Sequence, residues 1–177
     1  SMTISSELLG NLFSTSEMRA IFPVKATAAY YLQIERTLAA VQADLGIIPP
    51  AAAREIEARA RLENLDWEQW VADVAEAGVP TIPMVKQIVA AVGPAGQWVH
   101  YGATTQDIMD TAVVLQMRAA LQIIERDLAK IRAALNQLAA KYRDTPMVGR
   151  SQLQHALPIT FGLKVAGWLT MILRHQE

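Results

Sequence analysis

The chain has 177 residues, of which 52% are hydrophobic and 19% charged, with a net charge of −1 and no cysteine. The pI is about 6.3 and the mean hydropathy +0.18, apolar for a chain in which no charge-free run of about eighteen apolar residues marks a membrane helix. These values exclude disulfides, a thiol nucleophile and cysteine-held metals, and they give no footing for nucleic acid or a membrane surface as a partner.

The start, Ser1-Met2-Thr3, has no basic segment followed by an apolar one, so no leader is read and the expected location is cytoplasmic. Ser1 is set aside as a remnant of tag removal. Ser6 to Phe13 suggests a short helix, and Ser16 can cap another over Glu17 to Phe22, stopped by Pro23. Val24 to Leu45 is rich in alanine and leucine, with Gly46 at a C-terminal cap position. Pro49-Pro50 restarts the chain, and a charged helix follows over Ala51 to Leu62. Asp66 can cap the next helix, which runs through Trp67, Trp70 and Val74 to Gly78. Thr81 opens a helix with proline early in it, Pro83 to Val92, ended by Gly93-Pro94. Gly96 to Thr105 reads as a loop.

Gln106 to Tyr142 has no glycine or proline, and Ile124, Leu128, Ile131, Leu135, Leu138 and Tyr142 step by four and three. That is the seam of a bundle helix. At 1.5 Å per residue it would span roughly 55 Å. One short chain can hardly cover it, so a bundle shared between subunits is expected. Asp144 to Gln154 reads as polar and extended, with a strand pattern of about four residues at most around Pro146–Gly149. Pro158 then begins a final helix that meets no stop signal before Glu177, so a piece of a longer protein is expected. The expected division is an amino-terminal helical domain over residues 1–103 and the start of a helix bundle over 104–177.

Two segments gather the unusual polar residues. In the first, His100 to Asp107, a helix start offers unpaired N–H groups and partial positive charge to a carboxylate. Gly102 permits close backbone approach, Thr104 and Thr105 supply hydroxyls, and His100 can hold charge or pass a proton. The alternative is plain capping: Thr104-x-x-Asp107 resembles a capping box, and His100 can bond to a backbone carbonyl. In the second, Gly149 to Thr160, Arg150 suits a carboxylate, while Gln152, Gln154 and His155 add donors and a titratable ring. The alternative there is an ordinary polar loop before a helix. Arg19 and Lys86 are further cations that could face a substrate, or simply solvent. The four tryptophans read as packing or interface residues. No phosphate loop, dinucleotide fingerprint, paired-histidine zinc motif or serine elbow occurs.

His100-Tyr-Gly-Ala-Thr-Thr-Gln-Asp-Ile-Met-Asp-Thr-Ala112 resembles the first signature region of the fumarase/aspartase superfamily. Gly149-Arg-Ser-Gln-Leu-Gln-His-Ala-Leu-Pro-Ile-Thr-Phe-Gly-Leu-Lys164 resembles its second, in the right order and joined by a long helix. The stretches Glu17-Met-Arg-Ala-Ile-Phe22 and Ile82-Pro-Met-Val-Lys86 are similar to its muconate cycloisomerase branch. The resemblance implies an all-helical homotetramer built on a central bundle, acting on polycarboxylates through an enolate-like dianion, with no metal or organic cofactor. In the cycloisomerase branch a substrate carboxylate adds internally to a double bond and yields a lactone. By position, His100 and His155 would be catalytic. Thr104, Thr105, Gln106, Arg150, Gln152, Gln154, Arg19 and Lys86 would bind substrate, and Asp107 would order the loop. Two departures stand out. Fumarases and adenylosuccinate lyases carry a histidine where this chain has Gln152, and glutamine cannot transfer a proton; bacterial cycloisomerases usually carry tryptophan there, so Gln152 matches neither pattern. The third signature, a flexible loop with the catalytic serine, is absent and would lie well beyond Glu177.

Overall fold

A computed structural model describes residues 9–175. Its elements form two compact units, one up to Ala119 and one from Ala120 onward.

The first unit is helical. Two short helices, α1 (Gly10–Phe13) and α2 (Ser16–Arg19), lead into α3 (Val24–Asp44), α4 (Pro50–Arg59), α5 (Trp67–Ala77) and α6 (Thr81–Val92). Short 3-10 turns occupy Leu62–Asn64 and Gly93–Trp98. The long helix α7 (Thr105–Lys141) begins here. Residues 6–8 of the helix expected at the start lie outside the described residues.

Local chemistry sets the ends. Thr15, one residue before the expected Ser16, caps α2: its hydroxyl accepts from the Met18 N–H at 3.2 Å. The helix closes at Arg19, short of Phe22. Asp66 caps α5 as expected, accepting from the Gln69 N–H at 3.0 Å. Proline stands at the first position of α4, where its missing N–H costs nothing.

The core is apolar stripes meeting at helical spacing. Ala28, Tyr31, Leu32 and Ala39 of α3 pack with Ile56, Trp70, Met84 and Ile88. Burying each large side chain stabilises by roughly 1.5–3 kcal/mol. The Trp70 indole N–H finds the Pro80 carbonyl at 2.8 Å, so the ring is buried without a polar cost. Gln116 of α7 is also buried, donating to the Ile21 carbonyl at 2.9 Å and the Thr27 hydroxyl at 3.0 Å.

The second unit holds the rest of α7, a two-stranded sheet of β1 (Pro146–Ser151) and β2 (Gln154–Thr160), and α8 (Phe161–Arg174). The extended stretch expected around Pro146–Gly149 is a strand and runs longer than four residues, while the reading of Pro158 as a helix start is corrected, because it lies in a second strand. Pro158 pairs with Val148 inside an antiparallel ladder. Both strands of a hairpin are edges, so a proline without N–H is tolerated there. The helix starts later because Thr160 caps it, accepting from the Leu163 N–H at 3.2 Å. Gly162 allows α8 to touch the end of α7: a Cβ there would sit 2.6 Å from the Arg143 Cα.

Along α7, Ile124, Ile131 and Leu138 of the expected seam stay exposed, as do Val113 and Met117 nearer its start. No helix of the described residues is long and apolar enough to cross a membrane.

Candidate functional site

In the first unit the site begins on α3. Glu35 falls in the middle of the apolar stripe Ala28-Leu32-Ala39 and is 1% exposed. A buried carboxylate is costly unless it is paired. Its partner is 65 residues away: Glu35 Oε1 lies 2.6 Å from His100 Nδ1. The second oxygen, Oε2, is buried with no hydrogen bond. Burial pushes the Glu35 carboxyl up from its ordinary value, and the hydrogen bond and charge of His100 pull partly against this.

His100 is held in an unusual backbone state, with φ at 56°. For a residue with a side chain this costs roughly 1–3 kcal/mol and persists only where surroundings over-determine it. The neighbours do so. The Ala103 N–H closes a turn onto the His100 carbonyl at 3.3 Å, with Gly102 at φ 71° inside it. That sign of φ in the third turn position is the type II pattern and favours glycine. The Gln42 amide donates to the Tyr101 carbonyl at 2.7 Å, and the Tyr101 ring leans on Trp98 at 5.1 Å.

The helix start follows directly. Asp107 Oδ2 accepts from the Thr104 N–H at 2.9 Å, one half of a capping box. The Thr111 hydroxyl donates to the Asp107 carbonyl at 2.6 Å, and Gln106 Nε2 to Asp110 Oδ1 at 2.6 Å. Thr104 and Gln106 are exposed and Thr105 is half-buried. An open cavity of about 280 Å³ borders this loop, lined in part by Gln42, Tyr101, Gly102, Asp107 and Thr111. His100, Thr104 and Thr105 are not among its lining residues.

The two outlying cations differ. Arg19 is engaged locally: its guanidinium donates to the Ser14 carbonyl at 2.6 Å and to Asn11 Oδ1 at 2.6 Å. Lys86 is exposed on α6. Among the described residues no group of three or more histidine, aspartate or glutamate side chains could hold a metal.

In the second unit the hairpin organises the other polar set. Arg150 pairs with His155, and Ser151 with Gln154. Directly paired residues of an antiparallel ladder share a face, so a fixed cation and a titratable ring stand side by side, and Gln154 projects to the other face. Gln152 and Leu153 form the two-residue turn at the tip. Leu153 takes a positive φ of 57° and is 101% exposed. A bulge between Val148 and Arg150 sets this register. Gly149 makes it possible, because a Cβ there would run into the Leu157 carbonyl oxygen. Arg150, Gln152, Gln154 and His155 are all exposed.

Glu35 is the residue that sequence reasoning missed. Its one visible signal was a lone carboxylate on the apolar stripe of α3.

The comparisons with known proteins agree on family. A family model described as lyase matches residues 13–177. The trans-aconitate decarboxylase 1 of Mycosarcoma maydis is 43% identical, over 98% of this chain and 35% of that protein. The 3-carboxy-cis,cis-muconate cycloisomerase of Pseudomonas putida is 42% identical, over 98% of this chain and 42% of its own length. A crystal structure of a fumarate lyase from Mesorhizobium sp. BNC1 superposes with a TM-score of 0.87 at 47% identity, covering 93% of this chain and 39% of that one. The chain thus spans about two fifths of the length of these relatives. With both signature segments in place, on a helical fold shared with the solved relatives, the chain belongs to the lyase family of fumarase/aspartase-type helical enzymes.

Proposed function

We propose that the full-length protein is a homotetrameric cycloisomerase that converts 3-carboxy-cis,cis-muconate to a carboxymuconolactone. The observation that carries this reading is the hairpin of the second signature. Arg150 and His155 share one face, with Gln152 rather than a proton-carrying histidine at the tip. An enzyme that expels a leaving group by proton transfer has use for a histidine at that place. Internal addition of a carboxylate asks instead for groups that hold negative charge while one carbon is protonated.

In this reading a substrate carboxylate oxygen attacks a double-bond carbon. The electron pair moves toward the neighbouring carboxylate and gives a dianion. Thr104, Thr105 and the N–H groups at the start of α7 stabilise that charge where it develops, and Arg150 is a further cation for a substrate carboxylate. A proton then reaches the α-carbon, with His100 or His155 as its carrier. Gln106, Gln152 and Gln154 bind and orient, Asp107 fixes the helix start, and Arg19 and Lys86 add outlying positive charge. The addition and protonation are redox-neutral, so the reaction calls for no electron-transfer cofactor. The helix from Thr105 is the first strut of a central bundle, and its exposed Ile124, Ile131 and Leu138 are covered by other subunits. The domain change falls at residues 103 and 104, where the loop enters that helix.

The test is direct. Full-length protein mixed with 3-carboxymuconate should bleach the conjugated-diene absorbance, and an unchanged spectrum would refute the proposal. A second reading, a fumarate-releasing lyase of the same fold, draws on the similarity to the fumarate lyase. Release of fumarate from a panel of succinyl conjugates would favour it.

A further inference from the structure

We infer that Glu35 is a positioning residue for His100: its buried carboxylate fixes a ring proton on Nδ1 and leaves Nε2 as the working nitrogen. The inference rests on the reading of His100 as a site residue and deepens it.

The geometry carries the argument. An ionised carboxylate can only accept, so at 2.6 Å the shared hydrogen must belong to Nδ1. A histidine ring with Nδ1 protonated has two uses at its other nitrogen. Neutral, it presents a bare lone pair and takes a proton. Charged, it presents an N–H and grips a carboxylate. In the reaction proposed above the charged ring would give its Nε2 proton to the α-carbon, and the neutral ring left behind would take one back from solvent.

Glu35 has little else to do. Its Oε2 is buried without a hydrogen bond, and its neighbours on α3 are core residues. An apolar side chain of similar volume would pack there without the desolvation cost. The loop pays in backbone strain to bring the ring to this carboxylate, with His100 at φ 56° and the turn pinned by Gln42 and Ala103. Second-layer carboxylates of this kind commonly set the tautomer of a working histidine.

The experiment reads the tautomer by nitrogen NMR of the protein labelled with ¹⁵N-histidine, at a pH of about 8, where carboxylates ionise. His100→Gln identifies the ring by the loss of its signals. The expected result is Nδ1–H in the wild type and a shift toward Nε2–H in Glu35→Met. Glu35→Gln, which keeps an acceptor oxygen, should restore much of the Nδ1–H form. An Nε2–H ring in the wild type overturns the inference, as does an unchanged tautomer ratio in Glu35→Met. If Glu35→Met fails to fold, the wild-type spectrum decides alone.

The second arm uses the full-length protein on 3-carboxymuconate. There Glu35→Met should lower kcat roughly tenfold or more with KM changed less, and Glu35→Gln should recover most of the loss. A drop in thermal stability with kcat unchanged would reduce the pair to a structural tie and overturn the positioning role. An inactive wild type with an Nδ1–H ring refutes the cycloisomerase reading but leaves the tautomer assignment standing.

Discussion

The loop at His100 and the hairpin at Arg150 both carry a histidine and groups suited to a carboxylate, yet they are built in opposite ways. The loop is tied inward. Glu35 holds the ring, Gln42 holds the next carbonyl, and Asp107 holds the helix start. The hairpin stands outward: from Arg150 to Pro158 every residue is exposed, and its tip bears a bare leucine. Orientation in the first region is supplied by this segment's own core. Orientation in the second comes from one antiparallel ladder, tied at its base by the Phe161 N–H to the Thr145 carbonyl at 2.9 Å. A mutation in the loop is therefore expected to disturb folding as well as any function there, whereas one on the hairpin face should leave folding alone.

The largest expected effect sharpens this contrast. In the full-length protein Arg150→Met should cut kcat/KM roughly 10²–10³-fold, the scale for losing one positioned charge-stabilising donor. Circular dichroism and the melting temperature should stay unchanged, since Arg150 is exposed. A large fall in melting temperature would break the comparison.

Next come two glycines of α8 with different surroundings, Gly162 in its first turn and Gly167 in its interior. Gly162→Ala must push the helix off Arg143 and should cost roughly 1–3 kcal/mol. Gly167 has nothing within 4 Å of where an added methyl group would stand, so Gly167→Ala should gain up to about 1 kcal/mol. Paired urea titrations check both. Equal effects would show that the close approach of α8 is not felt.

The Glu35 carboxyl gives a pH signature. Burial raises it above 4.5 in the folded chain. Between its unfolded and folded values the folded state therefore holds a proton that the unfolded state has lost. The contribution of this group is complete below 4.5 and is lost as pH rises through the folded value. Glu35→Gln should flatten that part of the stability curve, read as denaturation midpoints across the range. An identical slope would contradict the buried setting.

The smallest effect is at the hairpin tip. Leu153→Gly relieves a positive φ, with a net gain of about 0.5–1 kcal/mol once glycine's own entropy is subtracted. Destabilisation in a thermal melt would mean that the leucine has a contact worth keeping.

What could be read from sequence follows the range of the forces involved. The helix Thr105–Lys141 was legible because uninterrupted helix formers and a four-three step act within a few residues. The Asp66 cap was legible for the same reason. The hairpin was legible only in part: a short strand around Pro146–Gly149 could be read, but Pro158 looks like a helix start in a local reading, and only pairing across the ladder makes it an edge-strand residue. The bond from His100 to Glu35 was invisible too, because it spans 65 residues and depends on α3 packing beneath the loop. The polar segments themselves were recognisable from their order and residue types, since motifs are local. Which atom holds which was not.

The central claim is internal addition with protonation of one carbon, and its product decides it. Full-length protein should be given 3-carboxymuconate in D₂O and the product read by proton NMR. The account predicts a lactone carrying a single solvent-derived deuterium on the carbon next to a carboxylate, with no fumarate and no carbon dioxide released. Recovery of unchanged substrate, or of fumarate or a decarboxylated acid, would contradict it.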